Sequence, residues 1–256
     1  MLEINEVNFP DEKFREYIKI RFDNDRDGML LNEQVENVQE IHVCYERDIK
    51  SLKGIEHFPN LQVLSCFRTG ITELDVNNNL SLKELDCSDT GIITLNVINN
   101  SKLETLDCSN TGITSLDVSK NTALKELYCA VTGITNLDVS NNSALQELNC
   151  SNTRITSLDV SNNLVLKELD CWNTRIANLD VSRNSMLTSL DCGDTGITTL
   201  DLRNNSELQV IYNQEIHFIK SETNKDSIQK FIRKAQDTLV SKKEVTKESK
   251  GKEQER

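Results

Sequence analysis

The side chains best equipped for chemistry in this sequence are its eight cysteines and three histidines. A cysteine nucleophile needs a neighbouring base, usually histidine, to become a thiolate. Here His42, His57 and His217 are scattered, and only Cys44 has a histidine nearby, His42. No CxxC pair or Cys/His zinc spacing occurs. Instead Cys66, Cys87, Cys108, Cys129, Cys150, Cys171 and Cys192 recur every 21 residues. Strict recurrence marks one structural position used repeatedly, and it predicts reduced, buried thiols. No enzymatic activity is expected from them. On stacked parallel strands, such side chains would sit about 4.8 Å apart. A disulfide requires a Cβ separation of roughly 3.5–4.5 Å.

The elements that hold these cysteines follow from the repeat. Seven units begin at Leu61, Leu82, Leu103, Leu124, Leu145, Leu166 and Leu187, with the pattern L-x-x-L-x-C-x-x-T-x-I-x-x-L-x-V-x-x-N-x-x. The L-x-x-L-x-C segment predicts a short strand with Leu and Cys on its inner face. One unit cannot bury that face alone, whereas stacked units bury it together. Twenty-one residues leave little room for a helix on the return side, where turns, short strand or 3₁₀ structure are expected. Two further ladders accompany the cysteines. Thr69, Thr90, Thr111, Thr132, Thr153, Thr174 and Thr195 are placed to bond backbone groups at the turn after the strand. Asn79, Asn100, Asn121, Asn142, Asn163, Asn184 and Asn205 are placed to do so in the return turn. The fold class is therefore an α/β repeat solenoid, a curved leucine-rich-repeat stack with a parallel β-sheet on the concave side and helical caps at both ends.

Five segments are expected. Residues 1–37 form a helical cap and 38–60 a degenerate first repeat, with Val38, Ile41, Val43, Ile49, Leu52, Ile55 and Phe58 inward. Residues 61–207 hold the seven units. Residues 208–240 form a C-terminal cap, in which Ile228, Phe231, Ile232, Ala235 and Leu239 have helical spacing after a capping-box-like Asp226. Residues 241–256 read as a disordered Lys/Glu-rich tail.

The cap contains DNDRDGMLLNEQ, in which Asp23, Asp25, Asp27 and Gly28 follow the order of an EF-hand calcium loop. That loop needs ligands at its ninth position and a bidentate Glu at its twelfth. Leu31 and Gln34 stand there instead, and Glu33 is one residue early. Weak or no calcium binding is expected, and otherwise no cofactor. The plain alternative is a helix–loop–helix cap over the first strand.

The seven units resemble the 21-residue cysteine-containing leucine-rich repeats of bacterial surface proteins, the internalins with a cysteine ladder in particular. The resemblance covers about residues 38–207, and INEVNFPDEKFREYIKIRFDNDRDGMLLNEQV is similar to the N-terminal cap of such proteins. It implies a non-enzymatic protein-binding module, an adhesin or host-interaction protein, at a cell surface or outside the cell. The alternatives are a calcium-responsive structural module or an intracellular scaffold. The segment MLEINEVNFPDEKF has no apolar core of the kind an export leader carries. On that ground the chain is expected in the cytoplasm, unless it is a mature or trimmed piece of an exported protein.

Net charge is −12, and it is unevenly spread: from Ser221 onward there are 10 Lys+Arg and 7 Asp+Glu, against 19 and 34 upstream. An acidic body disfavours nucleic acid, which requires clustered cations. No run approaches the roughly 18–20 apolar residues of a membrane span, so no membrane insertion is expected.

The expected partner is another protein, held on the concave repeat surface. Glu84, Asp86, Asp89, Asp107, Glu126, Glu147, Glu168, Asp170, Asp191 and Asp194 flank the cysteines there as an acidic field. Residues that break the repeat are the informative ones. Tyr128 replaces Asp or Asn, Val131 replaces Asn, Trp172 replaces Ser or Gly, and Arg154 and Arg175 replace Gly in adjacent units. Phe67 and Arg68 break the pattern in the first unit. Tyr, Trp and Arg dominate interface energetics, so these seven are the candidate contact residues. A second stripe, Asp75, Asn96, Asp117, Asp138, Asp159, Asp180 and Asp201, reads as Asx turns.

Overall fold

A computed structural model describes residues 1–212 and 217–219. The expected C-terminal helix and charged tail lie outside the described residues. The chain opens with an N-terminal cap: β1 (Leu2–Glu3), α1 (Glu12–Phe22), β2 (Met29–Leu30) and α2 (Asn32–Asn37), with β1 and β2 paired antiparallel. Asp11 caps α1, accepting from the Phe14 amide at 2.9 Å through one carboxylate oxygen. Its other oxygen accepts from the amides of Lys50 and Ser51, at 2.7 and 3.1 Å. One side chain thus starts the helix and ties it to the first repeat. Phe9, Phe14 and Phe58 are fully buried and pack ring against ring. Gly54, at φ 116°, lets Phe9 approach so closely that a Cβ there would lie 2.3 Å from its ring.

The solenoid follows. Its sheet holds β3 (Glu40–His42), β4 (Val63–Ser65), β5 (Glu84–Asp86), β6 (Thr105–Asp107), β7 (Glu126–Tyr128), β8 (Glu147–Asn149), β9 (Glu168–Asp170) and β10 (Ser189–Asp191). These stack in sequence order, all parallel. Beyond β10 the sheet skips β11 (Thr199–Asp201) and takes up β12 (Val210–Tyr212) as its ninth strand. β11 pairs separately with β13 (His217–Ile219) on the return side. The first return segment holds a short 3₁₀ helix, Ile55–His57, and the other return segments among the described residues are turns.

Each repeat pairs with the next at the same position, since the strands step by one repeat without slipping: Leu64, Leu85, Leu106, Leu127, Leu148, Leu169 and Leu190 stand side by side. All are buried, as are the seven cysteines and the Ile and Val columns that close each turn. The seven apolar residues assigned inward in 38–60 are buried too, and Val43 takes the cysteine position of the first turn.

The polar ladders satisfy the turns. Each Thr hydroxyl donates to the carbonyl of the cysteine three residues earlier, as Thr111 does to Cys108 at 2.7 Å and Thr153 to Cys150 at 2.7 Å. Each Asn Nδ2 donates to two carbonyls of the preceding repeat. For Asn142 these belong to Val118 (3.0 Å) and Asn121 (2.8 Å). The seven Asn Oδ1 atoms are buried without a hydrogen-bond donor among the described residues. A buried acceptor left this way costs about 1–3 kcal/mol. The two donated bonds on the same amide offset that cost.

Candidate functional site: the sheet face and its rim

Two rows of side chains stand on the exposed face of the sheet. The first runs Ser65, Asp86, Asp107, Tyr128, Asn149, Asp170, Asp191, Tyr212. The second runs Glu84, Thr105, Glu126, Glu147, Glu168, Ser189. The first row is not the free acidic field expected from sequence. Its carboxylates are half-buried and accept from the backbone two residues on: Asp107 from Ser109 N (2.9 Å), Asp170 from Trp172 N (3.0 Å), Asp191 from Gly193 N (3.0 Å). Asn149 does the same for Ser151. They hold the turn that ends each strand. Desolvation against the neighbouring strands raises the pKa of Asp107 and Asp170, and pushes Asp191 up to about 6, with Asp170 and Asp194 adding repulsion.

Tyr128 interrupts this row. Its hydroxyl donates to Glu147 Oε2 at 2.5 Å, which crosses from the first row to the second and orients that carboxylate. Burial, then the bond to Glu147, raises the tyrosine's pKa. Tyr212, 45% exposed, stands at the far end of the same row. Between the two tyrosines lies a groove of about 200 Å³, whose walls include Glu147, Glu168, Asp170 and Asp191.

The rim where the strands end has a regularity that sequence reading missed. The residue two after each cysteine is left-handed: Arg68, Asp89, Asn110, Val131, Asn152, Asn173 and Asp194 all have φ between 52° and 58°. Tyr45 takes the corresponding place before Arg68, at φ 66°. Asn and Asp tolerate this region, and their recurrence here was the available signal. Most of these residues also donate their amide to the next repeat, extending the ladder past the strand: Val131 N to Ser151 O at 2.9 Å, Asn152 N to Trp172 O at 2.8 Å. Their side chains link as well. Arg68 lies 5.3 Å from the Tyr45 ring centroid and pairs with Asp89 at 3.0 Å, and Asn110 donates to Asp89. Asn152 and Asn173 bond at 2.9 Å. Val131 breaks the chain of links. It is β-branched in a region such residues avoid, and it is half-exposed.

The candidate contact residues therefore divide among three lines. Tyr128 stands on the sheet face. Val131 and Trp172 stand on the rim. Arg154 and Arg175 lie just beyond it, exposed and stacked, their amides donating to Ile134 O and Ile155 O of the preceding repeats. Among the described residues neither arginine forms an ion pair. Trp172 leans over the next repeat: a Cβ on Gly193 would lie 2.9 Å from its Cδ1. The glycine, where three other units carry Ser, makes space for the indole. Phe67 packs against Tyr45 with centroids 4.8 Å apart. Phe67 and Arg68 thus belong to a separate cluster at the other end of the rim.

Elsewhere the ladder cysteines lie in the core and Asp23, Asp25 and Asp27 lie in the loop between α1 and β2. The seven ladder cysteines are buried and unbridged, and for the six from Cys66 to Cys171 burial holds the thiol well above its ordinary pKa. Cys44 is half-buried, its Sγ 3.1 Å from Ser65 Oγ. In the cap, Asp23 is buried and accepts from the amides of Asp27 (3.3 Å) and Gly28 (2.9 Å), while Asp27 accepts from Met29 N (2.8 Å). Asp25 is exposed. Gln34, at the place of the bidentate Glu, accepts from Leu31 N and starts α2. The Asp75-to-Asp201 stripe forms Asx turns, as in Ser119 N to Asp117 at 2.9 Å.

No family model matches this sequence, and no curated protein matches it either. Solved structures do. The functional domain of InlJ from Listeria monocytogenes, which includes a cysteine ladder, superposes with a TM-score of 0.61 at 26% identity over 88% of this chain. This chain is a cysteine-ladder leucine-rich-repeat solenoid, internalin-like in fold. It spans 62% of the InlJ domain. Internalin C2 of the same organism matches with a TM-score of 0.76 at 22% identity, covering 83% of this solenoid and 97% of that chain. The leucine-rich-repeat ectodomain of the Arabidopsis thaliana receptor kinase GASSHO1, in complex with Casparian strip integrity factor 2, matches at 0.64 and 17% identity, over 73% of this solenoid and 25% of the receptor chain.

Proposed function

We propose that this solenoid is a non-enzymatic protein-binding module, of the adhesin or host-interaction kind, that engages its partner through the sheet face and the adjoining rim. One observation carries the reading. In a repeat that otherwise hardly varies, the departures on the sheet face, rim and flank of the three units from Leu124 to Met186 include a Tyr, a Trp, two Arg and a strained Val. Tyr and Trp offer large contact area at small entropic cost, and such residues supply most interface affinity. The space that Gly193 leaves for Trp172 supports a placed indole rather than an accidental one. The receptor ectodomain, in complex with Casparian strip integrity factor 2, supports a binding role for a stack of this fold. The buried thiols offer no nucleophile, which favours binding over catalysis.

The test is the Trp172→Ser variant of the full chain, measured against a partner captured by the wild type. Ser is the residue three of the other six units carry there, so the fold is expected to persist. Affinity is expected to fall by about 2 kcal/mol or more, as for a hot spot. Unchanged affinity would reject the rim as part of the interface.

A further inference from the structure

We propose that the sheet face between Tyr128 and Tyr212 is a docking groove for an extended basic segment of the partner, whose lysine or arginine side chains seat among Glu147, Glu168 and Asp191. The proposal rests on the binding-module reading and adds the partner's chemistry.

The face is a groove framed at both ends by aromatic rings. Tyr128 on β7 and Tyr212 on β12 are four strand spacings apart in the sheet, about 19 Å. Six residues of extended chain span about 20 Å. A strand-like segment crossing the repeats would therefore reach from one ring to the other. Tyrosine rings pack well against the aliphatic stems of Lys and Arg, and their faces attract the charged heads.

Charge selects the occupant. Three carboxylates elsewhere on the repeats have cations: Glu104 has Lys125 at 2.5 Å, Asp89 has Arg68 at 3.0 Å, and Asp201 has Arg203 at 2.6 Å. Glu126, Glu147 and Glu168 stand in register on adjacent strands, and among the described residues none of them has an ion-pair partner. Like charges placed directly opposite repel. A cation laid along the row relieves that repulsion. The charge is spread along the sheet, and among the described residues no group of three or more His, Cys, Asp or Glu is disposed to hold a metal ion. That distribution suits several side-chain cations carried by one polypeptide better than a single metal. Tyr128, by donating to Glu147, fixes one carboxylate in place before binding.

Fluorescence anisotropy of a labelled Lys-Ser alternating decapeptide on the full chain tests this, with the matching Glu-Ser peptide as the charge control. Two double variants are compared: Glu147→Gln with Glu168→Gln in the groove, and Asp117→Asn with Asp138→Asn on the Asx stripe. Both remove two charges while keeping an acceptor oxygen, and thermal midpoints verify that both fold. The lysine peptide is expected to bind the wild type and the glutamate peptide not to bind. The groove variant is expected to lose about tenfold in affinity, and the stripe variant less than about twofold. Equal losses in the two variants would show attraction to overall acidity and overturn the groove. Absence of lysine-peptide binding to the wild type would overturn it too. If Trp172→Ser still weakens a captured partner, that failure touches the partner's chemistry and leaves the binding-module reading in place.

Discussion

Replacing Val131 by Asn makes the rim's conformational demand measurable. Val131 has φ 56°, in a row where the residues at 110, 152 and 173 are Asn. An L residue in this region costs roughly 1–2 kcal/mol, and Asn recovers part of that through local hydrogen bonding. Against the gain stands lost apolar contact. Val131 is 50% exposed, so at most about half of the roughly 1.5 kcal/mol for burying a valine is forfeited. A new amide between Asn110 and Asn152 would return about 0.5 kcal/mol, as an exposed hydrogen bond does. The expected net gain is about 1 kcal/mol. Urea unfolding with matched slopes reads it as a higher midpoint. The reciprocal change, Asn152→Val at φ 55°, removes the bond to Asn173 and is expected to lower the midpoint by at least as much. A lower midpoint for Val131→Asn, or an unchanged one for Asn152→Val, would refute the assignment of strain.

Leu148→Ala, at a side chain 2% exposed in mid-stack, is expected to destabilise by about 2–5 kcal/mol, and a loss below about 0.5 kcal/mol in urea would contradict its core role. The ladder thiols should react slowly with a thiol reagent in native buffer and fully in denaturant, because burial disfavours the thiolate; rapid native labelling of several would reject a packed ladder. For Asp191 the native pKa of about 6 lies above the roughly 3.9 of the unfolded chain, so its ionisation opposes folding, and stability falls as pH rises through that interval. Asp191→Asn keeps an acceptor for Gly193 N, as Asn149 does for Ser151. It is expected to exceed the wild type in stability by about 1 kcal/mol at pH 8, after discounting for partial exposure, with the difference closing near pH 4. An equal effect at both pH values would point away from titration.

Sequence alone determined the stack, its period and its core. A 21-residue repeat leaves one way to hide Leu, Cys, Ile and Val, which is against the same residues of the next unit. The Thr and Asn ladders followed, because turns that return so quickly leave carbonyls that only short polar side chains can reach. Trp172 and Tyr128 stood out because they depart from the repeat. Tertiary structure decided what those departures face. Asp107, Asp170 and Asp191 alternate with buried Leu as free surface acids would, yet neighbouring strands desolvate them and the backbone two residues on claims an oxygen. Periodicity reports which face a side chain leaves from and says nothing of how far the adjacent repeat covers it. The left-handed row, the shelf that Gly193 makes for Trp172, and the separation of Tyr128 from Arg154 and Arg175 depend on backbone torsions. The left-handed residue two after each cysteine turns the chain, so that residues one or two apart stand on the face, the rim or the flank.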